Sequence, residues 1–189
     1  MIWNKHFVKT EHAFLGASKY HWINYDEDKL KASWISFRAS QEGTRLHAYA
    51  KEAIELGIKQ RKSNRTLERY INDAISYRMT PELLLYYSEN CFGTADAISY
   101  DEEKHFLRIH DLKTGKIPAH MEQLLVYTAL FCLDYGVSHD VKPGEIQTEL
   151  RIYQNDQILY LEPESDEIAH IMDKIIVFDK YIDQLKEEM

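Results

Sequence analysis

The strongest constraint on the fold is the order of apolar runs between residues 82 and 162. Three short runs rich in aromatic and branched residues follow one another: ELLLYYSE from Glu82, CFGTADAISY from Cys91 and HFLRIHDLK from His105. Turns near Glu89 and at DEEK separate them, which predicts a meander of three strands. Two further runs, EIQTELRIY and QILYLE, flank the turn QND and predict another strand pair.

Helices are predicted before, between and after these strands. One runs from about Ser40 to Leu56 and ends at Gly57, and another runs from about Thr66 to Arg78. The segment AHMEQLLVYTALFCLDYG is apolar over most of its circumference, which predicts a helix buried against the sheet. An acidic amphipathic helix is predicted over about 166–187. This order predicts an α/β or α+β fold, with a central mixed β-sheet flanked by helices.

Length and composition favour one folded domain over residues 1–189. Two independent domains would be cramped in 189 residues. With 44% hydrophobic and 29% charged residues, the composition is that of an ordinary globular protein. No apolar run approaches the roughly twenty residues of a membrane helix, and the N-terminus lacks a signal-like apolar core. We therefore expect no membrane association and a cytoplasmic location.

Cysteine usage excludes two kinds of stabilising centre. Cys91 and Cys132 are isolated and have no CxxC spacing, so neither a disulfide framework nor a thiolate metal cluster is indicated. Two unclustered cysteines also cannot hold an iron–sulfur cluster, which is bound by four cysteines. We expect both to be small buried hydrophobic residues.

The net charge of −8 is unevenly distributed along the chain. Residues 1–139 hold eighteen basic and eighteen acidic side chains, whereas residues 140–189 hold five and thirteen. The balanced part contains one clear basic patch, KQRKSNRTLER, with Lys59, Arg61, Lys62, Arg65 and Arg69. Such a patch is typical either of a solvated surface or of a surface that follows a phosphate backbone.

Two carboxylates and a lysine are predicted to meet in one hairpin. Alternate residues of a strand share a face, so Asp111 and Lys113 point the same way, and pairing of the two runs allows Asp96 to lie close to Asp111. Two adjacent carboxylates repel unless a cation lies between them. Mg²⁺ suits this position because it favours carboxylate, carbonyl and water oxygens, and the Leu112 carbonyl offers one more. An ordinary surface ion pair is the alternative interpretation.

The joint constellation resembles the PD-(D/E)XK nuclease superfamily, in its RecB-like branch of phage and bacterial exonucleases. EGTRLHAYAKEA supplies His47, GTAD supplies Asp96, DLK supplies Asp111 and Lys113, and QLLVY supplies the pair Gln123 and Tyr127. The order and spacing agree over roughly residues 15–155. The resemblance implies a single restriction-endonuclease-like domain with that core.

The resemblance also implies roles for individual residues. His47, Asp96, Asp111 and the Leu112 carbonyl would bind one or two Mg²⁺ or Mn²⁺ ions, with Lys113 catalytic beside Asp96 and Asp111. Gln123 and Tyr127, about one helical turn apart, would hold DNA or shape the site. The basic side chains expected to follow the DNA backbone are Arg45, Lys116, Arg61, Lys62 and Arg65.

The implied function is metal-dependent hydrolysis of DNA phosphodiesters by an exonuclease in recombination or repair. The partners expected are DNA, a recombination protein, single-strand-annealing protein or helicase, and further copies of this chain in a homo-oligomer. The implied location is the cytosol of a bacterium or of a phage-infected host. Two alternatives stay open: a structure-selective endonuclease, and a catalytically silent module that only binds DNA.

Overall fold

The computed structural model describes residues 13–136 and 142–188. Residues 1–12, 137–141 and 189 of the predicted domain lie outside the described residues. Contacts divide the chain into two units, residues 1–44 and 45–189. The helices are α1 (Glu27–Glu55), α2 (Thr66–Ser76), α3 (Glu122–Asp134) and α4 (Ser165–Glu188), with 3-10 segments at Ala17–Asn24 and Pro143–Glu145. The strands β1 (Thr80–Ser88), β2 (Cys91–Asp101) and β3 (Phe106–Leu112) lie between α2 and α3, and β4 (Gln147–Gln154) and β5 (Gln157–Leu161) lie between α3 and α4.

The five predicted strands form one mixed sheet in the order β1-β2-β3-β4-β5. Every neighbouring pair is antiparallel except β3 and β4, which run parallel. Helix α3 connects these two strands, because a parallel pair needs a crossover that a tight turn cannot supply. The α+β class and the central mixed sheet are therefore confirmed.

Helices cover both faces of the sheet within residues 45–189. Adjacent residues of a strand point to opposite faces of the sheet, as two residues of β4 show. Ile152 packs in a core with α3 and α4, while Tyr153 packs in a second core with α2 and the end of α1. All the described residues of the α3 segment from Leu124 to Cys132 are buried except Val126 and Tyr127. This confirms the prediction of a helix buried against the sheet.

Helix α1 begins well before the predicted start at Ser40. Its start is set by Asp26, whose carboxylate accepts a hydrogen bond from the Lys29 amide at 2.8 Å. Ser40 and Gly43 lie inside the helix, although both residue types are poor helix formers. The prediction was wrong because a capping residue type in the helix interior resembles a helix start.

In residues 13–44, an aromatic group accompanies the first turns of α1. The rings of Trp34 and Phe37 contact Phe14, with centroids 5.0 and 5.2 Å apart. The indole of Trp22 donates a hydrogen bond to the Gly16 carbonyl at 3.1 Å. These contacts give the first unit its own small apolar centre.

A network of charges joins α2 to the parallel strands. Glu149 on β4 accepts hydrogen bonds from Arg108 on β3 and from Arg151, both at 3.1 Å. On α2, Asp73 accepts a hydrogen bond from the Tyr153 hydroxyl at 2.7 Å, and Arg151 lies 3.5 Å from it. Glu149 and Arg151 are largely removed from water, so their pairing with the partly exposed Asp73 helps to fix where α2 lies on the sheet.

Helix α4 agrees with the predicted amphipathic helix and packs against α3. Ile168 is buried, and Ile171, Met172 and Ile175 pack against the same core. Asn90, in the β1–β2 turn, donates hydrogen bonds to Asp179 and Asp183 on α4. Over residues 13–136 and 142–188, no helix has both the length and the apolar character needed to cross a bilayer.

Gly57 ends α1 in a left-handed conformation, as predicted from the sequence. Its φ is +64°, its amide donates to the Ile54 carbonyl at 3.1 Å, and the Ile58 amide donates to Ala53 at 2.9 Å. This is the Schellman arrangement, which satisfies carbonyls that the helix end leaves without partners. A side chain at position 57 would meet no atom within 4 Å, so only the backbone conformation requires glycine.

We expect Gly57→Ala to lower the free energy of unfolding by about 1 kcal/mol, because an L side chain disfavours positive φ. Gly144→Ala is the matched control, since a side chain there also meets open space and the φ of Gly144 is not in the left-handed region. Urea unfolding of both variants tests this. Equal effects of the two substitutions would contradict the conformational explanation.

Candidate metal and catalytic site

The site forms where the pairing of β2 with β3 stops. The last pair is Ala97 with His110, and beyond it the Leu112 amide donates to the Asp96 Oδ2 atom at 2.9 Å. Ala95 packs in the core with α3, whereas Ala97 packs in the core with α2, although alternate residues of a regular strand share a face. The strand therefore changes faces at Asp96, and its carboxylate replaces a backbone partner for β3.

Three side chains come close enough to share a cation. Single ligand atoms of His47, Glu82 and Asp96 all lie within 4.8 Å of one another. The His47 Nδ1 atom is 3.4 Å from Asp96 Oδ2, and the His47 side chain is about one-third exposed at 31%. Thus the structure brings together two of the predicted ligands, His47 and Asp96, with Glu82 as a third that the sequence did not indicate.

The sequence missed Glu82 because of a β-bulge. Ser88 pairs with Cys91 across a two-residue turn. If β1 and β2 kept this register along their length, Leu83 would lie opposite Asp96. The register shifts between Tyr86 and Ser88, so Glu82 falls opposite Asp96 instead. Glu82 itself has a φ of +51°. The sequence shows only an acidic residue near the start of β1. That residue does not indicate a metal ligand unless the β1–β2 register is known.

Lys113 is held by a chain of polar contacts. Its Nζ donates hydrogen bonds to Asp111 Oδ1 at 3.0 Å and to Gln123 Oε1 at 2.8 Å. The Gln123 amide in turn donates to the Tyr127 hydroxyl at 2.9 Å. Gln123 and Tyr127 are one turn apart on α3, as their spacing predicts. The structure therefore brings these four predicted site residues into contact.

Asp111 is a buried carboxylate that is paired with the Lys113 ammonium. It is 1% exposed, and its Oδ2 atom accepts no hydrogen bond from the described residues, although Lys113 Nζ lies 2.9 Å from it. Asp111 is not within the His47–Glu82–Asp96 group. The charge of Asp111 nevertheless raises the pKa of Asp96.

Burial and neighbouring charge raise the pKa of Asp96. Removal from water is the largest cause and the Asp111 charge the next, and together they raise it to about 6 against the opposing hydrogen bond from the Leu112 amide. A cation among these carboxylates would favour the ionised form. The crowded negative charge therefore suits a divalent ion.

Tyr70 is buried close enough to the carboxylates to feel their charge, and the sequence did not indicate it. It is 2% exposed on α2, and its ring contacts Tyr153 at 5.4 Å between centroids. Burial, followed by the charges of Asp96, Asp111 and Glu82, raises the pKa of its hydroxyl well above the usual value. Tyr70 therefore stays protonated and adds no further negative charge. A tyrosine on an apolar helix face carries no signal of such a role.

The three grouped side chains suit a hard divalent cation. Carboxylate oxygens from Asp96 and Glu82 and an imidazole nitrogen from His47 are suitable donors. The Leu112 amide, and not its carbonyl, contacts Asp96, so a metal-binding role for the carbonyl stays a prediction.

The basic residues predicted to bind DNA are exposed, and none of them belongs to the group of His47, Glu82 and Asp96. Arg61, Lys62 and Arg65 are exposed in the segment before α2. Lys116 is exposed on the loop after β3, and Arg45 is exposed on α1 two residues before His47. The loop is held by three hydrogen bonds with the buried Gln154 side chain, which involve the backbones of Gly115, Ile117 and Ala119.

Comparison with protein-family models, curated proteins and solved structures finds no match for this chain. Its function is therefore inferred from the geometry of the site.

Gly93 sets the position of the Tyr127 ring. A Cβ added at Gly93 would lie 2.8 Å from Tyr127 Cε1. We expect Gly93→Ala to cost about 1–3 kcal/mol of stability by overpacking. In a Tyr127→Ala background the same substitution should cost at least about 1 kcal/mol less, because the obstructing ring is gone. A double-mutant cycle by urea unfolding measures this, and additive effects would contradict the contact.

The raised pKa of Asp96 predicts a pH-dependent stability in metal-free protein. The folded state holds this proton up to about pH 6, whereas an unfolded chain releases it near pH 4. The proton on Asp96 therefore adds about 3 kcal/mol to the free energy of unfolding below pH 4. This stabilisation is lost as the pH rises through 6.

Asp96→Asn removes this titration while keeping the side-chain shape. We expect the stability of wild type minus that of Asp96→Asn to fall between about pH 4 and 6 and then level off. Urea unfolding in EDTA across this range measures the difference. A difference that stays constant with pH would contradict the assigned environment.

Proposed function

We propose that this protein is a metal-dependent deoxyribonuclease, an exonuclease that hydrolyses phosphodiester bonds in phage or bacterial DNA recombination and repair. One observation carries the proposal: the Lys113 ammonium is fixed by Asp111 and Gln123 beside a group of His47, Glu82 and Asp96. In that setting DNA is the substrate, and a recombination, single-strand-annealing or helicase protein is the expected partner.

His47, Glu82 and Asp96 would hold Mg²⁺ or Mn²⁺, and Asp111, which is paired with Lys113, would be a further ligand. When bound, such an ion supplies Lewis acidity that activates water and offsets charge on the phosphoryl group. The residues themselves supply the geometry. The Leu112 amide fixes Asp96, and the break in the β2–β3 ladder leaves the carboxylate directed at its neighbours.

Lys113 would bind and orient the reacting phosphate. An ammonium has three N–H donors, and Asp111 and Gln123 account for two of them. The third is left for a phosphate oxygen, on which negative charge increases during hydrolysis. The Tyr127 hydroxyl accepts its hydrogen bond from Gln123 and keeps its own proton to donate. The polar chain thus holds the lysine in one orientation before substrate binds.

The exposed basic side chains would hold the rest of the strand. Within the described residues, the side chains of Arg61, Lys62 and Arg65 make no hydrogen bond or ion pair. Contacts of this kind attract phosphates without reading bases, so binding should weaken steeply with salt and show little sequence preference.

We expect the wild-type protein to cleave linear DNA with Mg²⁺ or Mn²⁺ and not with EDTA. Lys113→Met should lower kcat by roughly 100-fold or more, because it removes the donor to the charged phosphate. Lys104→Met is the matched control, since Lys104 pairs with Asp101 at the opposite end of the same hairpin. Cleavage of end-labelled linear and closed circular DNA is the measurement.

Loss of Lys113 leaves the buried Asp111 without its cation, which threatens folding. The double variant Asp111→Asn with Lys113→Met removes both charges and should fold while remaining inactive. Unchanged cleavage by a folded Lys113→Met protein would contradict the mechanism. Cleavage of circles would favour a structure-selective endonuclease over an exonuclease. DNA binding without turnover in either metal would favour a catalytically silent binding module.

A further inference from the structure

A separate cavity of about 230 Å³ opens beside Lys113. Its apolar walls are Leu46 on α1, Leu67 on α2 and Leu112 on β3. Its polar rim includes Lys113 and Asn155, the latter in the β4–β5 turn. It thus lies among four elements that are far apart in the sequence and meet only in the folded chain.

The cavity and the candidate metal site share two stretches of backbone. Leu46 directly precedes His47, and Leu112 and Lys113 directly follow Asp111. A phosphate bound by the third donor of Lys113 would therefore have its neighbouring group at the mouth of the cavity. The group attached to a phosphate in a nucleic acid is a nucleoside.

The chemistry of the cavity suits that group. Three leucine side chains offer an apolar surface to a ring face, while the Asn155 side chain at the rim offers hydrogen-bonding groups. Sites for drug-sized ligands occupy about 300–1,000 Å³, so this smaller cavity suits one nucleoside at most. A base in a duplex presents only its edges, and it enters such a pocket only when it is unpaired.

The rim is preformed, and it does not offer a phosphate site. The Thr66 amide, at the start of α2, donates to Asp156 Oδ1 at 2.8 Å, and the Asp156 amide donates to the Thr66 hydroxyl at 2.7 Å. The carboxylate already occupies that amide and would repel a second anion. An uncharged ring is the better occupant.

We infer that this cavity binds the unpaired nucleoside next to the cleaved phosphodiester. The inference rests on the proposed nuclease function and specifies its substrate as a strand that is single-stranded at the reacting end. Arg65 and Lys62 precede Thr66 and are exposed, so they lie in sequence next to the rim where the following phosphates would pass.

Leu67→Trp tests the cavity by filling it. We expect this variant to raise KM for a single-stranded oligonucleotide by about tenfold while Mn²⁺ affinity measured by calorimetry stays unchanged. Leu159→Trp on β5 is the matched control, because Leu159 is exposed and does not line the cavity. Asn155→Gly is the second variant, to be used if Leu67→Trp fails to fold. Glycine tolerates the positive φ of this exposed turn residue, and loss of the Asn155 side chain should weaken oligonucleotide binding about threefold to tenfold.

An abasic residue beside the cleaved bond provides the complementary substrate change. It should slow wild-type cleavage at that bond to the rate of Leu67→Trp and should have no further effect in that variant. Binding of an oligonucleotide that carries 2-aminopurine at this position, measured by fluorescence in EDTA, gives a readout without turnover. Its emission should change on binding wild type and Leu159→Trp, and not on binding Leu67→Trp.

The two proposals fail in different ways. Wild-type cleavage that is equally fast on paired ends, on abasic strands and in Leu67→Trp would overturn the nucleoside site and leave the nuclease function intact. Absence of cleavage by wild type in both metals would overturn the nuclease function. In that case the fluorescence measurement still decides whether the cavity takes an unpaired base.

Discussion

The hydrogen bond from the Leu112 amide to the Asp96 carboxylate decides the geometry of the site. It occurs where the backbone ladder between β2 and β3 stops after Ala97 and His110, so that a side chain takes the place of a backbone partner. The contact satisfies an amide that would otherwise lack a partner, and it fixes one carboxylate oxygen in space. Glu82 and His47 then reach the same carboxylate from β1 and α1.

The cluster has an electrostatic imbalance that the protein alone does not remove. Asp111 is buried and keeps one oxygen without a hydrogen bond, and burial together with the charge of Asp111 raises the pKa of Asp96 to about 6. Lys113 offsets part of the charge through Asp111 and Gln123. Holding carboxylates this close weakens the metal-free protein, and the same closeness would strengthen the binding of a divalent cation.

The proposed nuclease site and the proposed nucleoside cavity depend on the same framework. The charge network of Glu149, Arg151 and Asp73 helps to fix α2 on the sheet, and α2 carries both Tyr70 near the carboxylates and Leu67 in the cavity wall. The turn residue Asp156 then joins β5 to the start of α2. A phosphate held at Lys113 would thus meet rigid elements on both sides, which favours a fixed substrate geometry.

The amino-acid sequence by itself determined the five strands, the mixed sheet and the contacts that depend on local periodicity. Asp111, at the end of β3, meets Lys113 because the two are two residues apart in extended chain, and Gln123 meets Tyr127 because they are one helical turn apart. Only the tertiary structure decided that Glu82 faces Asp96, since the one-residue bulge before Ser88 sets that register. It also decided the start of α1, the place of Tyr70 and the existence of the cavity. These depend on packing between elements distant in the chain, whose separations no local pattern encodes.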